Sequence, residues 1–588
     1  MKQLLVYLKS SRKECILAPL FKMLEASFEL FIPLVIARLI DEGLRGGNST
    51  IIWQSFGLLV LLGLIGLVAA VTAQYFSAKA AVSFATELRH SLFGHLLKLG
   101  FPEIDNIGTS TMITRMTSDV NQLQNGVNMF LRLFLRSPFV VFGAMVMAFT
   151  IDVKSASIFL TIIIILSIIV FGLMAINVKQ VKNVQKKLEN VTSSTRETLK
   201  GVRVIRAFCL EKEETEIFNE NNSLLTKALN KAGNIAALMN PLTYIMINMA
   251  IIYLIYTGAN QVMFGVLTQG QVVALYNYMS QILVELIKLA NLIVLINKAL
   301  ACGNRVSAVF DIEPSQKEGQ AEVGRSEEAV RFEHVSLTYP ESQEKTLTDL
   351  DFSVAKGETV GIIGGTGSGK SSLVHLIPRF YDASEGKVLV DGVDVREYSF
   401  EQLRKKVGVV MQKAVLFKGT IQSNLDWAAE NATEEDYKNA IKNAQATEVA
   451  EGKGGITGEV EQAGKNYSGG QRQRLSIART LIGKPEILIL DDSSSALDYL
   501  TDLNLRKAIK ELDYKPTVFI VSQRSASIMH ADKIIVMDDG KVVGIGKHEE
   551  LLKNCQVYQE IYESQYSTEQ SKKAGNSVQS EADSREVR

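Results

Sequence analysis

The chain has 588 residues, 47% hydrophobic and 21% charged, and its 63 basic side chains are balanced by 63 acidic ones. That length accommodates several domains, and a net charge of zero lacks the basic excess expected of a nucleic-acid binder. Four cysteines, Cys15, Cys209, Cys302 and Cys555, lie far apart without CxxC or metal-ligand spacing; they read as packing residues, not as a disulfide framework or a metal site.

In chain order, Lys2, Lys9, Arg12 and Lys13 precede the first apolar run, and no small-residue cleavage site closes a short hydrophobic region, which argues against a removable signal peptide. Apolar stretches near 16–40, 51–76, 133–151, 155–177, 241–263 and 272–297 are each of the order of the ~20 residues a membrane helix needs, so the sequence predicts six spans. With the N-terminus inside, the outer loops 41–50, 152–154 and 264–271 carry only Arg45 and Lys154, whereas the inner segments 78–132 and 178–240 are rich in Lys and Arg. Those inner segments are helical in pattern. They predict long arms below the membrane, with tips at 101–119 and 205–219 placed to touch a cytosolic domain. Within or near the spans, Glu25, Glu29, Asn248, Gln281, Glu285, Lys288 and Asn291 are either bonds between helices or parts of a polar cavity.

A transmembrane domain is therefore expected over 1–310, a polar linker over 311–328, a soluble domain over 329–565 and a disordered tail over 566–588. In the soluble part, the stretch VGIIGGTGSGKSSL reads as a strand, a loop and a helix start. Gly364, Gly369, Lys370 and Ser371 fit G-x-x-x-x-G-K-[ST], with Gly365, Thr366, Gly367, Ser368 and Ser372 completing the loop. Such a loop turns backbone N–H groups onto phosphate oxygens; the lysine reaches the β/γ-phosphates and the serine hydroxyl binds Mg²⁺. Further on, ILILDD is a buried apolar strand ending in Asp491, a residue suited to hold Mg²⁺ through water. Between them, Ser468, Gly469, Gly470 and Gln471 open an Arg-rich helix, a second anion-binding arrangement in the same domain.

The order GGTGSGKSS, Gln412, YSGGQ and ILILDD resembles the ATP-binding cassette, an α/β P-loop domain. Six helical spans ahead of one cassette resemble a half-size ABC exporter with long intracellular arms. The resemblance implies that Tyr339 stacks on adenine, that Gln412 is the Q-loop ligand of Mg²⁺, and that Ser468–Gln471 is the signature serving the nucleotide of a second subunit. It also implies that Ser495, Ala496, Leu497 and Asp498 form the D-loop across a cassette dimer. Tyr467 stands where the family often has leucine.

Two positions depart from the family pattern. The residue after the Mg²⁺ aspartate is glutamate in hydrolytic members and is Asp492 here; the switch histidine is replaced by Gln523. Aspartate is one methylene shorter, and a base misplaced by about 1 Å costs on the order of 100-fold in rate. The resemblance is then to the degenerate-site subunit of heterodimeric bacterial multidrug exporters. It implies a chain of the cell membrane, cassette cytoplasmic, that binds ATP and Mg²⁺, hydrolyses slowly at its own site and completes the active site of a partner bearing the catalytic glutamate. A lipid or peptide exporter of the same fold, or an ATP-sensing regulatory or channel-like membrane subunit, are the alternatives.

Overall fold

Each of the six apolar stretches lies within a helical segment of the computed structural model, which describes residues 2–320, 326–339, 342, 344–429 and 431–565. The tail at 566–588 and part of the linker fall outside these residues. The helices are Arg12–Arg38, Ser49–Leu96, Arg136–Ile151, Val153–Lys200, Glu211–Met263 and Gln269–Phe310. Their starts follow from local chemistry. Asn48 accepts hydrogen bonds from the amides of Thr50 and Ile51, Asp152 accepts from Ser155, and Thr268 and Gln271 form a reciprocal cap, satisfying the orphan donors of a first turn.

Among the described residues, four helices are long and apolar enough to cross a membrane: Ser49–Leu96, Thr109–Ile151, Glu211–Met263 and Gln269–Phe310. Arg12–Arg38 misses that measure because Lys22, Glu25 and Glu29 fall within every long window of it. In Val153–Lys200 the apolar run continues in the sequence to Asn177, and its described part is Val153–Ile169.

The charges inside these helices answer one another. Glu285, 3% exposed, accepts from Ser137 Oγ at 2.7 Å and Lys288 Nζ at 2.8 Å, and forms an ion pair with Arg136. Arg136 also reaches Glu29 at 2.6 Å, while Glu25 pairs with Lys22 at 2.5 Å. Glu29 and Glu285, singled out in the sequence, thus join three helices through an arginine that the sequence reading passed over. Elsewhere Asp41 accepts from Thr268 Oγ1 and from the Gly270 amide at 2.9 Å. At Gly270 a β-carbon would stand 2.3 Å from the Ala37 carbonyl oxygen, so only glycine allows the two backbones this close. Asp119 is held by Arg115 at 2.8 Å and by a two-pronged contact with Arg305.

The chain divides into two compact units: Met1–Leu97 with Thr109–Ile312, and Lys98–Gly108 with Glu313–Arg588. The second contains a six-stranded sheet in the spatial order Lys541–Gly546, Lys533–Asp538, Thr359–Gly364, Thr517–Val521, Ile487–Asp491 and Val407–Val410, parallel except at the first pair. Thr517–Val521 and Ile487–Asp491 are buried along their whole length, as strands covered on both faces must be. An antiparallel sheet of Leu347–Ala355, Glu328–Leu337, Glu385–Val390 and Val393–Asp394 shares an apolar core with it. Gly364, Asp491 and Val521 end neighbouring parallel strands, and that edge is where ligands bind in open α/β sheets.

The first arm tip is split between the units. Its helix Phe101–Ile107 belongs to the second unit, where Phe101 stacks on Phe380 with ring centres 4.3 Å apart and Tyr381 donates to Asp105. The second tip, around 205–219, belongs to the first unit and leaves Val204, Phe208 and Leu210 exposed.

Candidate active site

The phosphate loop leaves the end of Thr359–Gly364 and enters the helix Lys370–Leu376. Gly369, at φ 92°, makes the left-handed turn into that helix. At Gly364 a β-carbon would stand 2.1 Å from the Met537 carbonyl oxygen, so the loop lies against the neighbouring strand's end. Lys370 is 8% exposed and donates to the carbonyls of Gly364 at 3.0 Å and Gly365 at 2.5 Å. Burial pulls its ammonium below the usual lysine range, against the opposing pull of Asp492 and Asp491. A cation already desolvated among carbonyls gains more from an arriving phosphate than one in water.

Ser371 Oγ donates to Asp491 Oδ1 at 2.8 Å, so the two residues expected at Mg²⁺ are adjacent. On the far side of Asp491, His375 Nε2 lies 3.3 Å from Oδ2; the sequence reading missed this residue, although its place one helical turn past Ser371 was visible. Gln412 Nε2 donates to Asp492 Oδ2 at 3.1 Å. Asp492 has φ 44°, a left-handed conformation that aspartate tolerates better than most side chains. Its carboxyl is raised above the ordinary range, first by burial and also by Asp491, with Gln412, Lys370 and Arg524 opposing.

A cleft of about 350 Å³ is lined by Thr366, Gly367, Lys370, Ser371, Ser372, Gln412, Asp492 and Gln523, among others. Both departures from the family pattern therefore face the same cavity as the intact phosphate loop. Tyr339 donates to Ser372 Oγ at 2.9 Å and meets Tyr381 edge to face, ring centres 4.9 Å apart. The switch strand end is tied from the C-terminal side: Gln565 Nε2 donates to the Gln523 carbonyl at 2.7 Å, and Gln565 Oε1 accepts from the Ser525 amide and hydroxyl at 2.9 and 2.8 Å. Nothing in a local motif signals Gln565, because the contact spans 42 residues.

None of Ser468, Gly469, Gly470 or Gln471 lines that cleft. Ser468 caps the helix Gly469–Ile482, with Ser468 and Gln471 satisfying each other's backbone amides. A β-carbon on Gly470 would stand 2.8 Å from the Ala496 carbonyl oxygen, so the signature and the segment Ser495–Asp498 lie against each other. Asp498 caps the next helix by accepting from Thr501 at 2.9 Å. Tyr467 is buried and donates to the Glu459 carbonyl at 3.1 Å, which accounts for an aromatic residue where leucine is usual.

The membrane-region model of ABC transporters matches residues 15–286, and the ABC transporter ATP-binding model matches residues 347–495. A relative in Bacillus subtilis (strain 168), the "Uncharacterized ABC transporter ATP-binding protein YfiB", is 33% identical over 570 residues, covering 97% of this chain and 99% of its own. The chain belongs to the ABC transporter family. Other relatives include the "Putative multidrug export ATP-binding/permease protein YgaD" of B. subtilis (strain 168), 32% identical over 96% of this chain and 98% of its own. The "ATP-dependent lipid A-core flippase" of Yersinia pestis bv. Antiqua (strain Antiqua) is 29% identical over 94% and 95%. A solved bacterial Atm1-family ABC exporter with ATP bound shares the fold at a TM-score of 0.78 and 22% identity, over 94% of this chain and 99% of that one. One membrane region followed by one cassette makes half of an ATPase-coupled ABC transporter. Such a half works as a dimer, and its ATP-binding domain is the unit that carries the cleft described above.

Loss of the Phe101–Phe380 stack is expected to weaken the tip's seat by about 1 kcal/mol beyond lost burial. In Phe101→Ala, substrate flux into vesicles should fall more than ATP hydrolysis measured on the same preparation.

Proposed function

We propose that this chain is the degenerate-site subunit of a heterodimeric ABC exporter. It has six spans, and its N-terminus and cassette lie in the cytoplasm. The reading rests on one observation above the rest: Asp492, a carboxylate one carbon short for its task, bonds to Gln412 across a cleft whose switch position holds the uncharged Gln523. A general base must reach its water within about 2.6–3.2 Å. Asp492 starts further back.

ATP binding is retained. Lys370 and the loop amides take the phosphates, and Tyr339 offers its ring to the adenine. A magnesium ion fits the hydroxyl of Ser371, the carboxylate of Asp491 and the amide oxygen of Gln412, all hard oxygen donors. When bound it neutralises charge building up on the phosphates. The signature Ser468–Gln471, absent from its own chain's cleft, closes over the nucleotide of a partner that carries the glutamate. ATP favours the closed pair of cassettes because only there do both halves grip it. The arm tips carry that closure to the spans, the second through exposed Val204, Phe208 and Leu210, which a partner's cassette is placed to cover. The cargo class is hydrophobic or amphipathic compounds, in line with the printed name of YgaD. The flippase relative favours lipid as the second reading.

The test is turnover by purified chain with and without its partner half. The chain alone should hydrolyse ATP slowly. Asp492→Glu in the complex should raise turnover only in part, because Gln523 remains, and glutamine at the partner's glutamate should abolish most of it. Turnover by the lone chain at the level of a symmetric exporter would refute the assignment.

A further inference from the structure

A cavity of about 520 Å³ in the first unit plays no part in nucleotide chemistry. Its walls come from three places: the helical turns Lys2–Ser11 through Leu5 and Leu8, the start of Arg12–Arg38 through Cys15, and the helices Val120–Leu133 and Gln269–Phe310 through Phe130 and Ile296. Among the described residues the lining is apolar apart from Lys9 and Arg12 and includes no acidic side chain. Both cations are exposed, and the neighbouring carboxylate of Glu14 is engaged by Lys79 at 3.0 Å. The N-terminal turns also show apolar surface outward, with Leu5 and Val6 each 51% exposed. Such a segment lies in a membrane interface rather than in water.

All three walls stand at the ends of spans that the basic-residue bias places on the cytoplasmic side. An apolar cavity at that depth, opening beside two cations with no carboxylate between them, matches a lipid in both parts. We propose that it holds the acyl chain of an anionic lipid of the cytoplasmic leaflet, whose headgroup rests on Lys9 and Arg12. A helix from a second copy would fill the apolar space but leave the two cations without counter-charge, so the charge pattern favours the lipid.

The inference uses only the membrane placement from the proposed function, and that placement has its own test: in a Cys209→Ser background, a membrane-impermeant maleimide should reach a cysteine introduced at exposed Lys541 from the cytoplasmic side alone. For the site itself, the full complex is placed in nanodiscs holding equal phosphatidylglycerol and phosphatidylcholine, and retained lipid is counted by native mass spectrometry. Phosphatidylglycerol should be enriched at least about tenfold, given two basic groups at the surface. The double variant Lys9→Gln/Arg12→Gln changes exposed side chains only and should bring the ratio near parity. Val127→Phe, which fills the cavity, should release retained lipid of either kind. In a Cys209→Ser background, N-ethylmaleimide should modify Cys15 more slowly in phosphatidylglycerol discs than in phosphatidylcholine discs. Equal retention of the two lipids, or a preference that survives both variants, overturns the proposal. So does protection of Cys15 that tracks protein concentration in lipid-free detergent, which would give the cavity to a second copy.

Discussion

In the complex with its partner, Ser468→Asp in this chain should lower ATP turnover roughly 100-fold or more, the scale of losing a preorganised group at the reacting charge. Aspartate is as good a helix cap as serine, so the helix Gly469–Ile482 keeps its start and the fold is spared. What changes is the charge, which on the proposed reading faces the phosphates of the nucleotide held by the partner. On the proposed reading, Lys370→Ala in the same chain should cost only a few-fold in turnover, because it weakens ATP at the slowly hydrolysing site. The comparison is decisive. In a symmetric assembly both substitutions strike equivalent, productive sites and would abolish turnover alike. Residual hydrolysis at the chain's own site should also fall on acidification at a pH above the usual carboxylate range, since the raised Asp492 takes up its proton sooner there.

The second large effect is structural. Arg136→Met leaves Glu285 buried with Ser137 and Lys288 alone and removes the cation that Glu29 reaches. Removing one member of a buried ion pair costs about 3–5 kcal/mol. The expected result is an apparent Tm lowered by several degrees in detergent. Adding Glu285→Gln to Arg136→Met should recover part of that loss, because the uncompensated charge is gone. An unchanged Tm in Arg136→Met would show the network to be replaceable by solvent.

How much was legible beforehand depended on distance along the chain. The phosphate loop was readable because its chemistry is packed into nine consecutive residues, and in the structure Ser371 donates a hydrogen bond to Asp491. Asp492 and Gln523 were readable as departures because each sits at a fixed offset from a recognisable strand. Their common cleft was an inference from resemblance until the sheet brought their strand ends together. The Arg136–Glu285 pair spans 149 residues and the Gln565 tie to the switch segment 42. No periodicity carries such information. Glu285 was noticed as a charge out of place, yet its main cation lay on another helix, in a stretch whose apolar character hid one arginine.

The helix Phe101–Ile107 groups with the cassette although the chain reaches it two hundred residues earlier. A cassette excised at residue 313 would thus lack a piece of itself. Phe380 and Tyr381 would be stripped of the ring and the carboxylate that cover them, leaving an aromatic scar open to water. Such a fragment should be stickier in solution than its charge implies, and supplying residues 98–108 as a free peptide should improve its solubility.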